Sequence, residues 1–380
     1  MIKITNERKE ELIEKRRYLH QYPELAFEEF HTTEKIKEWL SLHDITILPL
    51  DMKTGVIAEV KGDQEGPTIA IRADIDALPI QEETDVPFRS KHDGKMHACG
   101  HDFHTVSILG AAILLQERKE LLHGTVRFIF QPAEEIAQGA KRMVEKGVLD
   151  GVNAIFGMHN KTDLPVGTIG VKSAGLMASV DKFEIAFQGI GGHAGIPHQA
   201  IDPIVMASQY VTAVQSIIAR RIDLFDNAVI SITSFNSGNT WNVIPDKAVL
   251  QGTVRTFQAK AREAIPGHMK KLAESIAEGF GGTVDFHWES YLPVVDNDET
   301  YEQVIRSTVE KIGYNAVDAE PSAGGEDFAY YQSYIPGFFV WMGVDGPKGW
   351  HHPSFDLDEK SIKVAAEFFA NLAVNVLKDA

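Results

Sequence analysis

Alternation of apolar and polar positions is clearest between residues 180 and 290. Val180 to Phe187 reads Val-Asp-Lys-Phe-Glu-Ile-Ala-Phe, the period-two pattern of a half-buried strand. After a Gly189-Ile190-Gly191-Gly192 loop, Asp202 caps a helical run through about Arg220, with Pro203 in its first turn. Ala228–Ser234 and Ala248–Phe257 read as strands, Ala261–Glu278 as a helix ending at Gly279, and Thr283–Trp288 as a last strand. This βαββαβ order predicts a ferredoxin-like unit with two helices on one face of an antiparallel sheet. It is expected at residues 179–291, inserted between two pieces of a second domain, 1–178 and 292–380.

The flanking pieces switch between helical and strand periods. Helices are expected at Asn6–His20 and Thr33–His43, and strands at Gly55–Val60, Thr68–Ala73, Val126–Gln131 and Ala154–Met158. Helical runs at His104–Lys119 and Gly139–Lys146 separate the later strands. Beyond the insert, helices at Tyr301–Ile312 and Glu359–Lys378 flank the apolar strand Gly337–Trp341. The fold class predicted is α/β, with helices on both faces of a mixed, largely parallel sheet.

A length of 380 residues favours two domains over one core. No apolar run approaches the roughly 18 residues that a membrane crossing needs, and the charged N-terminus has no signal-peptide core. One cysteine and no export signal make the cytoplasm the expected location, with no membrane partner. A net charge of −17 with no basic stripe argues against nucleic acid.

Candidate chemistry centres on Met96-His97-Ala98-Cys99-Gly100-His101-Asp102-Phe103-His104. A lone thiol cannot close an internal disulfide, and its imidazole neighbours suit a zinc-like ion better than simple packing. Ligands in parallel α/β sheets gather at the carboxyl ends of strands. Four apolar runs end in such groups: Asp74 and Asp76, Glu134 and Glu135, His159, and the approach to His351 and His352. Each has a plainer reading; Asp74 can be a turn former, Glu134 and Glu135 a solvated face, and His159 a structural histidine. Their convergence favours a multi-ligand metal centre with spare carboxylates. A structural zinc site closes with four Cys or His ligands; this carboxylate-rich set favours two bridged metals that activate water.

With these residues the chain resembles the aminoacylase-like metallo-exopeptidase superfamily. The nearer likeness is to its amidohydrolase branch, which holds hippurate hydrolase, plant auxin-conjugate hydrolases and N-acetyldiaminopimelate deacetylase. The likeness spans nearly the whole chain. It rests on Arg72 to Pro79, His97 to Asp102, Gln131 to Glu135, Met158-His159, Gly191 to Ala194 with Pro197-His198, Asn242 to Pro245, Gly252 to Arg255, and Gly324 to Phe328. It implies metal ligands at Cys99, His101, Glu135, His159 and His351, with His351 preferred to His352. Two divalent ions per subunit are implied, of zinc, manganese, nickel or cobalt. Asp74 stands where the wider superfamily has a ligand histidine, and Cys99 stands at the bridging position. Glu134 maps to the general base and Asp76 to an orienting carboxylate, while His97 and His104 are left to supporting roles.

The same likeness makes the inserted unit a lid and homodimerisation domain. His193 on it would reach the reacting carbonyl, from the partner subunit, and Asn242 and Arg255 would hold the substrate. The expected activity is hydrolysis of N-acyl amino acids, N-acetyl and sulfur-containing ones among them. Alternatives are a dipeptidase or carboxypeptidase at the same centre, and a non-enzymatic metal- or amino-acid-binding module. Met177, Phe328 and Tyr331 can be read as pocket lining or as core.

Overall fold

The apolar runs of the flanking pieces assemble into one eight-stranded sheet in the computed structural model, which describes residues 1–379. Its order is Thr46–Leu48, Val56–Lys61, His123–Gln131, Gln64–Asp74, Val152–Lys161, Gly337–Gly343, Thr168–Val171 and Asn315–Asp318. The four middle strands, from His123–Gln131 to Gly337–Gly343, run parallel to one another. Val56–Lys61 and Thr168–Val171 join them antiparallel on either side; Thr46–Leu48 is antiparallel to the first and Asn315–Asp318 parallel to the second. Gly337–Gly343 is buried along its whole length, as a strand covered on both faces must be, which is why it reads as a continuous apolar run.

Helix His101–Gln116 is buried from His101 to Leu115 and packs against Asn6–Gln21 and Lys360–Asp379. An apolar surface all round suits a helix enclosed on every side. It begins three residues before its expected start, so His101 and His104 stand one turn apart on it. Phe30–Ser41 also starts earlier than its pattern suggested, because Thr32 and Thr33 are buried and the Thr33 hydroxyl accepts the Gly55 N–H at 2.9 Å. The four-residue strands Thr168–Val171 and Asn315–Asp318 were not expected at all. Met1–Leu176, Asp296–Glu320 and the chain from Asp327 onward make up this first unit.

The second unit comprises Met177–Val295 with Pro321–Glu326. Its antiparallel sheet has the order Ala228–Ser237, Lys247–Thr256, Val180–Gln188 and Thr283–Leu292. Lys247–Thr256 alternates strictly between buried and less buried positions, and its inward side chains join Phe183, Phe187, Tyr210 and Met269 in one core. The helix expected from Asp202 to Arg220 is two, Pro203–Ala213 and Gln215–Arg221. Hydroxyls of Thr212 and Ser216 bond back to the carbonyls of Ser208 and Ala213, a competition that bends helices. Among the described residues no helix is long and apolar enough to cross a membrane.

Phe128 is fully buried in the first unit's core. Phe128→Ala is expected to lower stability by about 3–5 kcal/mol. Urea unfolding followed by circular dichroism checks this, and an unmoved midpoint refutes it.

Candidate metal centre

The carboxyl ends of the parallel strands deliver the donors. Gln64–Asp74 ends at Asp74, two residues before Asp76; His123–Gln131 leads through Pro132 and Ala133 to Glu134 and Glu135. His159 lies within Val152–Lys161, and the chain after Gly337–Gly343 returns to place His351, whose N–H donates to the Ala98 carbonyl at 2.8 Å. Cys99 closes the loop before helix His101–Gln116.

Donor atoms of Cys99, His101 and His159 lie within 4.8 Å of one another, as do those of Cys99, Glu135 and His351, and of His101, Glu134 and Glu135. Cys99 Sγ is 3.4 Å from His159 Nε2, and His351 Nε2 is 3.3 Å from Glu135 Oε2. His101 Nε2 stands 3.8 Å from Glu135 Oε1 and 4.0 Å from Glu134 Oε2. The sequence-predicted ligands and Glu134 are therefore brought into one cluster. His352 takes another part, accepting the Ser354 N–H through Nδ1 at 3.0 Å.

Asp76 sets the aim of two members. His101 Nδ1 donates to the Asp76 carbonyl oxygen at 3.0 Å and approaches its Oδ1 at 3.2 Å, while Glu135 N–H donates to Oδ2 at 3.0 Å. That leaves His101 Nε2 facing the cluster. His159 is oriented likewise, Nδ1 donating to the Asn160 carbonyl at 2.9 Å. Fixing one ring nitrogen so that the other is offered to an ion is the usual support of a metal-binding histidine.

Whether a divalent ion suits this set can be judged from the unmet groups. His101 Nε2 and Glu135 Oε1 are buried with no hydrogen-bond partner. Burying such atoms without a hydrogen bond is costly, and a cation shared with the Cys99 thiol and His159 would remove that cost. The residues fit a metal.

Charge shapes the protonation of the cluster. Burial works to lower the His101 imidazolium, but Asp74, Asp76 and Glu135 outweigh it and raise His101 to about 10. Burial, then Glu135 and Glu134, push the Cys99 thiol up. Burial and the neighbouring His104 hold His159 well below its ordinary value, so it is neutral.

Outside the donors lies a layer in which the sequence had placed only Asp74 and His104; Arg72, Gln131, Asn160 and Asp327 were given no role of their own. Arg72, fully buried mid-strand, donates to Asp74 at 2.7 Å, Asp327 at 2.7 Å and Gln131 at 2.8 Å. Asp74 in turn accepts His104 Nδ1–H at 2.6 Å, and His104 Nε2 accepts the Asn160 N–H at 3.0 Å. Burial alone would raise Asp74; His101, His104 and Arg72 hold it well below the usual carboxylate range. Asn160 also donates to the Cys99 carbonyl at 2.6 Å. Gly100 has φ +83, and a Cβ there would lie 2.6 Å from Asn160 Nδ2, so only glycine lets this bond stand beside the Cys99 loop. For Arg72 the sequence signal was an arginine interrupting an apolar strand, Ile71-Arg72-Ala73. Asp102 is spent on Arg16 and His20, each at 2.9 Å. His97 is buried with neither ring nitrogen bonded among the described residues, and burial lowers it to about 3.

His193, Asn242 and Arg255 belong to the second unit. Gly192–His193 pairs antiparallel with Val243–Ile244, Ala194 N–H donates to the Asn242 carbonyl at 3.1 Å, and both side chains are exposed. Arg255 is half-buried in Lys247–Thr256, and burial lowers its pKa. Phe328 packs on Phe339, Tyr331 donates to Gln131 at 3.0 Å, and Met177 is buried. All three are core rather than pocket lining.

An α/β sheet that gathers thiol, imidazole and carboxylate donors at its strand ends, with a further carboxylate beside them, defines a metal-dependent hydrolase. The chain belongs to Peptidase family M20/M25/M40, whose model matches residues 70–375. It is 60% identical over 368 residues to the N-acetylcysteine deacetylase of Bacillus subtilis strain 168, covering 97% of each chain. It is 47% identical over 367 residues to the N-acetyl-L-cysteine deacetylase of the same strain, covering 97% of this chain and 88% of that one. The crystal structure of the Bacillus subtilis YxeP protein, a dinuclear metal binding peptidase from the M20 family, matches with a TM-score of 0.92 at 56% identity. That match covers 99% of this chain and 100% of that one.

A cation held by His101 and Cys99 would have to displace a proton from each. Affinity is therefore expected to rise with pH by at least about tenfold per unit between roughly pH 6.5 and 8.5. Calorimetric titration of metal-free protein measures it, and a flat profile contradicts the protonation states assigned.

Proposed function

We propose that this chain hydrolyses the amide bond of N-acyl amino acids, N-acetylcysteine foremost, to a carboxylic acid and a free amino acid. The observation that carries the reading is Glu134, whose carboxylate stands 4.0 Å from His101 Nε2 and beside Glu135, at the edge of a cluster to which five other residues bring metal-type donors. The names of the two Bacillus subtilis relatives support the acetyl and cysteine portions of the substrate.

Cys99, His101, Glu135, His159 and His351 would hold two divalent ions, with zinc favoured by the thiolate and manganese, nickel or cobalt as alternatives. When bound, such ions supply Lewis acidity, which acidifies water and polarises a carbonyl. Glu134 takes a proton from the attacking water as its oxygen bonds to the amide carbon. The carbon–nitrogen bond then breaks, and Glu134 delivers that proton to the leaving nitrogen. Asp76 keeps His101 and Glu135 aimed throughout. Arg255 is assigned the substrate carboxylate, a pairing that guanidinium geometry favours, and Asn242 and His193 the carbonyl side.

The reading includes a homodimer through the second unit, with His193 serving the partner's centre. Leu224, Phe225 and Trp241 are about nine-tenths exposed there, apolar surface suited to an interface.

Glu134→Gln is expected to reduce turnover of N-acetylcysteine by about 10²–10⁴-fold with metal content unchanged. Metal analysis beside kinetics checks both halves, and an active variant removes Glu134 as the base. The same assay run with dipeptides separates deacylation from peptidase activity. Mixing inactive Glu134→Gln with inactive His193→Ala protein should restore part of the activity. No rescue after verified subunit exchange rules out the cross-dimer role.

A further inference from the structure

Glu29 has no part in the donor cluster, yet its carboxylate reaches the segment that carries Glu134 and Glu135. It is fully buried just before helix Phe30–Ser41, and its Oε1 accepts the Ala133 N–H at 2.8 Å. Ala133 is a fully buried residue with φ +55, a left-handed conformation that an L side chain rarely adopts. Such a conformation persists only where the surroundings impose it.

The surroundings here are dense. The Ala133 carbonyl accepts N–H groups of Gln138 at 3.3 Å and Gly139 at 3.0 Å, and the Glu134 carbonyl accepts the Ala137 N–H at 2.7 Å. On the other side, Gly55 lies so close to Pro132 that a Cβ there would stand 2.9 Å from its Cδ. Thr33, four residues after Glu29, holds the Gly55 N–H at 2.9 Å. The start of one helix thus grips both Pro132 and Ala133. Among these contacts only Glu29 meets the N–H of Ala133 itself. Without it that buried donor is unmet, and the turn has reason to relax toward negative φ. A rotation there swings the next two residues.

We infer that Glu29 is a positioning residue for Glu134 and Glu135, its carboxylate oxygen locking the left-handed Ala133 turn from which both project. What the role requires is an acceptor of the right reach. Burial, then Asp76, raise the Glu29 carboxyl to about 7, against opposing hydrogen bonds, so an uncharged acceptor is within its natural range of states. The inference rests on the roles proposed above for Glu134 and Glu135.

Three substitutions separate reach from charge. Glu29→Met keeps length and removes the acceptor; Glu29→Asp keeps the acid and shortens it; Glu29→Gln keeps an acceptor at the same reach. Glu29→Met and Glu29→Asp should lower kcat by about 10–100-fold with KM unchanged, and weaken Zn²⁺ binding to the metal-free protein by about tenfold or more. Glu29→Gln should recover most of both losses. If Glu29→Met fails to fold, Glu29→Asp carries the comparison alone.

Wild-type kcat and Zn²⁺ affinity in Glu29→Asp overturn the inference. So does a Glu29→Gln as impaired as Glu29→Asp, since an acceptor at the right reach would then not be enough. The Zn²⁺ titration reads the placement of Glu135 without any substrate. An active Glu134→Gln sinks the base role of Glu134 on which the inference rests; an inactive Glu134→Gln beside a wild-type-like Glu29→Asp sinks only the role of Glu29.

Discussion

Burying carboxylates side by side is the constraint on which this molecule's chemistry depends. Asp74, Asp76, Asp327 and Glu134 are buried, and the Glu135 side chain nearly so. Left alone, each would take up a proton or push its neighbours apart. For four of the five, the fold supplies partners one by one. Asp74 receives Arg72 and His104; Asp76 receives His101 and the Glu135 N–H; Asp327 receives Arg72, Gln131 and the Ala140 N–H. Glu135 is matched by His351.

Arg72 divides this array into two parts. Its guanidinium keeps its charge at any working pH, so the outer carboxylates Asp74 and Asp327 always have a cation beside them. The inner group of Cys99, His101, Glu135 and His159 has no such fixed cation. There, balance must come from protons or from metal, which is why the residues proposed to hold an ion are also the strongly perturbed ones. Asp74 touches both parts, pairing with Arg72 at 2.7 Å while lying 3.7 Å from His101 Nε2.

Legibility in the sequence followed the scale of each signal. Long periodic runs were readable, and the strands around Ile69-Ala70-Ile71 and Phe338-Phe339-Val340 could hardly be anything else. Thr168–Val171 was not, since four residues between glycine and a charged turn carry almost no period. The donors were visible because thiol, imidazole and paired acids are rare in such company. Their orientation was not: that Asp76 serves two donors, or that Asn160 ties His104 to the Cys99 loop, depends on contacts between segments about 25 to 60 residues apart. Glu29 was invisible for the same reason, lying 104 residues from the backbone it holds. In the Met177, Phe328 and Tyr331 set, sequence offered both pocket and core, and only packing decided.

Strand Gly337–Gly343 sits between Val152–Lys161 and Thr168–Val171, so a central position of the first sheet is filled from the far end of the chain. A chain emerging from the ribosome thus exposes two apolar strand edges for as long as the next 160 or so residues take to appear, on the order of ten to thirty seconds. The four strands of the second unit come from one uninterrupted stretch, Val180 to Leu292, and can pair in that interval. The order of synthesis therefore favours completion of the inserted unit before the sheet that carries the metal centre. Until Gly337–Gly343 arrives, that unfinished sheet is the part of the nascent protein most in need of protection from aggregation.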